Sequence, residues 1–138
     1  MSETIHVEIL TPEKKVFSDE VDSLSAIGTE GEFQVLPNHT TFLSSLQIGI
    51  ITYRKEGETF FIANSEGFCE IRNNSVLILV RTAEKGEDID ITRAQESHKR
   101  AEARLQSKDP NFDEKRATLS LYRALCRMKA CSLSNAME

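Results

Sequence analysis

The chain changes chemistry near residue 88, and that change limits what it can fold into more than any other feature. All six glycines lie at or before Gly86, and all six valines at or before Val80. After Ile91 there is no further β-branched aliphatic residue, and Ala, Arg, Leu, Lys and Glu dominate. Branched side chains suit a pleated, half-buried strand, whereas the later residue types lose little rotamer freedom in a helix. Charge divides at the same place. Residues 1–88 hold 7 Lys/Arg against 15 Asp/Glu, a balance of −8, and residues 89–138 hold 10 against 7, a balance of +3. These features predict a β-rich domain over 1–88 and a helical unit over 89–138, meeting near Glu87-Asp88.

Within the first unit apolar residues alternate. Ile5, Val7 and Ile9 share a face until Thr11-Pro12 breaks the run. Further strands are expected at Val21–Ile27, Phe42–Leu46, Gly49–Arg54, Thr59–Ala63, Phe68–Arg72 and Val76–Thr82. Turn chemistry stands between them: Gly28 and Gly31, Pro37-Asn38, Glu56-Gly57 and Asn73-Asn74. Short strands at such spacing indicate an all-β sandwich or barrel. The run Val76–Val80 is apolar on both faces, which predicts a central strand.

The second unit reads as an antiparallel α-helical hairpin. Ile91, Ala94, His98, Ala101 and Leu105 recur at 3-4 spacing, behind Asp90 as N-cap. Asp109-Pro110-Asn111 interrupts the pattern, and Ala117, Leu121, Ala124, Leu125 and Met128 then form a second inner stripe. Alanine buries little area, about 1 kcal/mol or less each, so the hairpin is expected to be marginal unless it packs on something else. The tail after Lys129 carries no interpretable pattern.

Much chemistry is excluded. No apolar run approaches the roughly 20 residues that span a bilayer. The first residues show neither a secretory signal nor a transit peptide, so the mature chain is expected to begin near Met1. A net charge of −5 disfavours broad nucleic-acid binding. Cys69, Cys126 and Cys131 form no C-x-x-C pair, which suits free thiols in a reducing compartment, and no metal-ligand spacing joins them to His6, His39 and His98. Gly28-Thr29-Glu30-Gly31 is followed by no Gly-Lys-Ser/Thr and reads as a turn rather than a phosphate loop. His39 reads as a loop residue at a protein contact, and Asp19-Glu20 and Glu87-Asp88 as solvated turns. No catalytic site is expected.

Three stretches together are distinctive: Gly28 to Gly49 (GTEGEFQVLPNHTTFLSSLQIG), Glu66 to Leu79 (EGFCEIRNNSVLIL), and Ala83-Glu84 with Ile89-Asp90-x-x-Arg93-Ala94. In order and content they resemble the epsilon subunits of F-type ATP synthases, over about residues 3–130. The resemblance implies a β-sandwich of about ten strands followed by a helical hairpin. It implies a non-catalytic rotor subunit of the central stalk, bound to the gamma subunit, the c-subunit ring and the alpha/beta head. Such a subunit would help couple proton flow to ATP synthesis at the cytoplasmic face of the bacterial membrane, touching the membrane only through the complex. Its arm would fold on the β-domain or extend along gamma to restrain ATP hydrolysis, where a +3 arm suits an acidic surface.

Ile89-Asp90-Ile91-Thr92-Arg93-Ala94 further resembles the ATP-binding pattern of certain bacterial epsilon subunits, which implies a site of Glu84, Asp90, Arg93, Ala94, Arg100, Arg123 and Arg127. ATP would then be a regulatory ligand, with no cofactor required. Arg93 and Arg100 are seven apart and Arg123 and Arg127 four apart, so antiparallel helices can bring both pairs to one triphosphate. Asp90 can cap the helix, contact the nucleoside, or both. The chain departs from the family pattern at Gln34, at Thr40-Thr41 and at Glu66, where a second glycine often precedes Gly67. A free-standing ATP sensor and a small enzyme using Cys69 or His39 are the rival readings.

Overall fold

A computed structural model describes residues 3–38, 41–106 and 113–136. Ten strands come first among these residues: β1 (Ile5–Leu10), β2 (Lys15–Val21), β3 (Ser23–Gly28), β4 (Gly31–Val35), β5 (Phe42–Leu46), β6 (Gly49–Lys55), β7 (Glu58–Asn64), β8 (Gly67–Arg72), β9 (Ser75–Val80) and β10 (Ala83–Lys85). A single 3-10 turn, Gly86–Asp88, leads to helices α1 (Ile91–Gln106) and α2 (Glu114–Ala136). His39, Thr40 and the Asp109-Pro110-Asn111 break lie outside the described residues.

The turn chemistry explains the hairpins. Glu56 and Gly57, and Asn73 and Asn74, all have positive φ, and each pair is the whole loop between paired strands, Lys55↔Glu58 and Arg72↔Ser75. Two left-handed residues make the turn whose twist matches that of the flanking strands. Thr29-Glu30 likewise joins β3 to β4, with Gly31 at φ 125°. The glycine stretch is therefore a hairpin turn, as expected.

The strand order is β10-β7-β6-β3-β5-β8-β9-β1-β2, with β4 on the side of β3. The sheet folds over where β3 and β5 share only the pair Gly28↔Leu46. Strands far apart in the order then meet across one core, where the rings of Phe17 on β2 and Tyr53 on β6 lie 4.7 Å apart. Ile5, Val7, Ile9, Ile51, Ile62, Ile71 and Ile78 are almost wholly buried there. The result is the expected β-sandwich.

Several details differ from expectation. Alternation in the sequence does not reveal β2, β4 and β10. Each lies at a margin of the sheet, where one side of the ladder is open and polar residues are tolerated. Asp19-Glu20 belongs to β2, not to a turn, and Asp19 pairs with Lys55 of β6. Strand β9 is central, pairing with β8 and in parallel with β1, but only one face is buried. Val76, Ile78 and Val80 point into the core, while Leu79 is 45% exposed.

The helices form the hairpin, and it does pack on something. Ala94 and Ala101 of α1 and Ala117, Ala124 and Cys131 of α2 are buried at seven-residue intervals, which lets the backbones approach closely. Leu125 is 43% exposed and so does not belong to the inner stripe. Residues 130–136, where the sequence carries no interpretable pattern, form the last turns of α2. There Ala130 and Cys131 pack with Ala63, Ile89 and Ala94, partly covered by Ile50, Phe61 and Met128. Gly86 makes this possible: a Cβ at that position would stand 2.5 Å from the Ala130 carbonyl oxygen and nearer still to Ser134 Oγ.

Candidate functional site

Docking the arm leaves a cleft of about 450 Å³ between the two helices and the margin of the sheet. Its floor is Ala63–Ser65 of the β7 end and Thr82–Glu84 leading into β10. Local bonds fix that floor. The Ser65 N–H donates to the Thr82 carbonyl (3.0 Å), and the Thr82 N–H donates to Ser65 Oγ (2.9 Å). Asn64 is buried, its amide donating to the carbonyls of Gln47 (3.0 Å) and Ser65 (2.8 Å), so no polar group is orphaned by that burial.

Four arginines line the walls, Arg100 and Arg104 from α1 and Arg123 and Arg127 from α2. In each pair the spacing of four residues puts both guanidinium groups on one helix face. Arg127 pairs with Glu84 (3.2 Å) and Arg123 with Glu66 (3.2 Å). The positive arm thus lies on its own acidic β-domain. Arg100 reaches only Ser97 Oγ (3.1 Å), and Arg104 has no side-chain partner among the described residues. The Nε of Arg127 is buried without a hydrogen-bond partner.

Of the seven residues expected from the sequence, the fold brings four to the cleft: Glu84, Arg100, Arg123 and Arg127. Asp90, Arg93 and Ala94 do not line it. Asp90 is the N-cap of α1, its Oδ1 accepting from the N–H groups of Thr92 (3.0 Å) and Arg93 (3.3 Å). Ala94 is 0% exposed, packed against Ala130 and Cys131, so in the docked arm it has no surface to offer a ligand. Arg93 shares a side of α1 with Arg100 but stands two turns away, about 10 Å along the axis, and this separates it from the cleft. The pairing of Arg93 with Arg100 around one triphosphate is therefore not what the docked helices present. Arg104, Ser97 and Asn64 were missed. The i,i+4 relation of Arg104 to Arg100 is the signal that would have found the first.

Beside the cleft lies an apolar groove of about 990 Å³, lined by Leu10, Leu46, Phe68, Leu79 and, from α2, Leu119 and Tyr122. Cys69 is 0% exposed, and burial pushes its thiol up to about 12, the reverse of what a nucleophile requires. That removes the reading of a cysteine enzyme at this position. Among the described residues no cluster of side chains is arranged to hold a metal, and no helix is long and apolar enough to cross a membrane.

Comparison with known proteins decides the family. The model of the ATP synthase Delta/Epsilon chain beta-sandwich domain matches residues 4–86, and that of its long alpha-helix domain matches residues 87–132. The chain belongs to the ATP synthase epsilon-chain family. It is 46% identical over 129 residues to the ATP synthase epsilon chain of Nitratidesulfovibrio vulgaris (strain DP4), covering 94% of this chain and 96% of that one. It is 49% identical over 127 residues to the epsilon chain of Pelotomaculum thermopropionicum, covering 92% and 95%. Among solved structures it resembles a chain of the Euglena gracilis mitochondrial ATP synthase (OSCP/F1/c-ring), with a TM-score of 0.77 at 21% identity over 95% of this chain and 81% of that one. A chain of the Tetrahymena thermophila mitochondrial enzyme (central stalk/c-ring) gives 0.65 at 16% identity, over 94% and 97%. At such identities the structural likeness shows the fold. As a member of this family the chain is a non-catalytic subunit of ATP synthase.

Proposed function

We propose that this epsilon chain works in the central stalk, where its β-sandwich binds the gamma subunit and the c-subunit ring and its arm reaches toward the alpha/beta head. In that position it helps couple proton flow to ATP synthesis at the cytoplasmic face of the bacterial membrane, held there by the complex. The arm restrains ATP hydrolysis when it leaves the β-domain, and ATP bound in the arginine cleft keeps it docked. One observation carries the nucleotide part: four arginines from both helices surround a cleft whose floor belongs to the β-domain. A ligand there contacts three elements that are together only in the docked arm.

The cleft fits such a ligand. Its volume of about 450 Å³ is within the range of small-molecule sites, roughly 300–1,000 Å³. Planar guanidinium groups form forked contacts with phosphate oxygens, and four of them line this one cleft. Arg100, Arg104, Arg123 and Arg127 take the phosphates in this proposal, Glu84 orients Arg127, and Asp90 and Arg93 act at the start of α1. Ala94 contributes by packing. At 100 times its Kd a ligand of the docked state adds about 2.7 kcal/mol to it, enough to tip a hairpin with an alanine interface. A complete switch needs about 5.5 kcal/mol of differential binding.

Calorimetric titration of the full chain with ATP tests the site. One site is expected in the wild type, weakened more than tenfold when Arg123 and Arg127 are both changed to alanine. Equal affinity in the double variant refutes this cleft. Reconstitution with gamma and the alpha/beta head tests the rest: no association with gamma and no effect on ATPase rate refutes the stalk and regulatory roles.

A further inference from the structure

Glu66 does not line the arginine cleft. It lines the adjoining apolar groove, yet its Oε1 takes the Nη2 of Arg123 at 3.2 Å, and Arg123 does line the cleft. We propose that Glu66 is a built-in counter-anion that holds Arg123 in place of a ligand's phosphate, so that Glu66 and a bound nucleotide compete for one guanidinium. The proposal rests on the nucleotide reading above and adds the residue that raises the nucleotide concentration at which the cleft fills.

The two carboxylates that meet the α2 arginines are not equivalent. Glu84 lines the cleft with its partner Arg127, so a ligand can use the pair as it stands. Glu66 sits outside, and whatever Arg123 gives to it is withheld from the cleft. Its position is set by the backbone at Gly67, where any Cβ would run into the carbonyl of Leu79 across the β8–β9 ladder. The glutamate is thereby held at the corner where β8 begins, beside α2. With glycine at 66, no competing carboxylate would stand there. The strength of the pair suits a competitor. Arg123 and Glu66 are 36% and 45% exposed, and such pairs bias an equilibrium roughly 1.4- to 5-fold. That is enough to bias the guanidinium when the cleft is empty and little enough for a polyphosphate to overcome. The Glu66 carboxyl is held below the usual carboxylate range, first by its own backbone N–H and then by Arg123 and Arg81, against some desolvation. It is accordingly charged at neutral pH.

The pair also ties α2 to the β-domain without any ligand. Glu66→Gln, which keeps the size and removes the charge, is therefore expected to act in two opposite ways. ATP should bind about 2- to 5-fold more tightly, since the competitor for Arg123 is lost. Without nucleotide, amide exchange across residues 114–136 should quicken about 2- to 5-fold, as a lost exposed pair allows. The comparison is repeated in an Arg123→Ala background, where competition for that guanidinium can no longer occur and the gain in ATP affinity should largely vanish. An equal gain in both backgrounds overturns the competition and leaves only general repulsion. Unchanged ATP affinity in Glu66→Gln, with a wild type that binds ATP, overturns it while the nucleotide reading stands. If neither protein binds ATP, the nucleotide reading has failed and the competition with it; faster exchange would then mark Glu66 as an arm tie alone.

Discussion

Replacing Gly86 by alanine should undock the arm without altering any residue that lines the cleft or the β-core. The backbone of Gly86 is not in the left-handed region, so alanine brings no conformational strain of its own. The cost is steric. The new Cβ would stand 2.5 Å from the Ala130 carbonyl oxygen, where ordinary contact begins at 3.4 Å, so α2 must retreat by about 0.9 Å. Ser134 Oγ, nearer still, can rotate away, but the carbonyl belongs to the helix and cannot. Overpacking of this kind costs about 1–3 kcal/mol, or about 5- to 150-fold in the docking equilibrium. The small cluster around Ala130 and Cys131 has little other burial to resist it. Cys131, 3% exposed against the Ile89 carbonyl at 3.5 Å, reports the event, since a thiol reagent reaches it only when the last turns of α2 lift. Cys69, fully buried and with its thiol pushed up to about 12, is the internal control. With half-buried Cys126 removed as Cys126→Ser, Gly86→Ala should speed labelling of Cys131 by about 5- to 150-fold and leave Cys69 silent. Labelling of Cys131 at the wild-type rate would show that the close approach at Gly86 does not govern docking. Equal acceleration of both cysteines would show loss of the whole fold instead.

Two further predictions separate roles that share a residue or a strand. Asp90→Ala should lose about 1 kcal/mol of α1 stability, while Asp90→Asn keeps the cap; melting of the arm followed by circular dichroism checks this, and an ATP affinity that falls in Asp90→Asn despite an intact helix would reveal a direct nucleotide contact. Asp19 is held below its ordinary value of 3.8 by Lys55 first and by the Glu20 N–H second. Its folded pKa is therefore below the unfolded one, so the stabilisation it provides is complete above the unfolded value and is lost as pH falls through the folded value. Unfolding midpoints measured from pH 6 to 2 should drop less steeply in Asp19→Asn, and an identical slope would refute the role of this β2–β6 pair.

The arginine site was legible in part, and the reason is geometric. Arg123 and Arg127, and Arg100 with Arg104, are neighbours by helical spacing alone. What they face depends on where the helices dock. Spacing also puts Arg93 on the side of Arg100, but it says nothing of distance along the axis from a floor made by Asn64, Ser65 and Thr82. Ala94 matches a binding pattern and is buried in the docked arm, because α2 runs two turns further than its stripe suggested and covers it. Glu66 stood out in the sequence only as a departure from a glycine. Its partner, 57 residues away, came from the fold.

Residue types and their spacing specify the two units, the class of each, most strands and the turns between them. Those features depend on residues close along the chain: alternation at period two, helical periodicity, and residue pairs that accept positive φ at Glu56-Gly57 and Asn73-Asn74. Packing across the fold sets the marginal strands, the parallel pairing of β1 with β9, and the seating of α2 over Gly86. Each of these joins residues distant along the chain, and its free energy comes from what the partner surface buries or excludes. No local pattern encodes that. The change of chemistry near residue 88 marks where the first kind of information ends, since beyond it the helices were readable but their resting place was not.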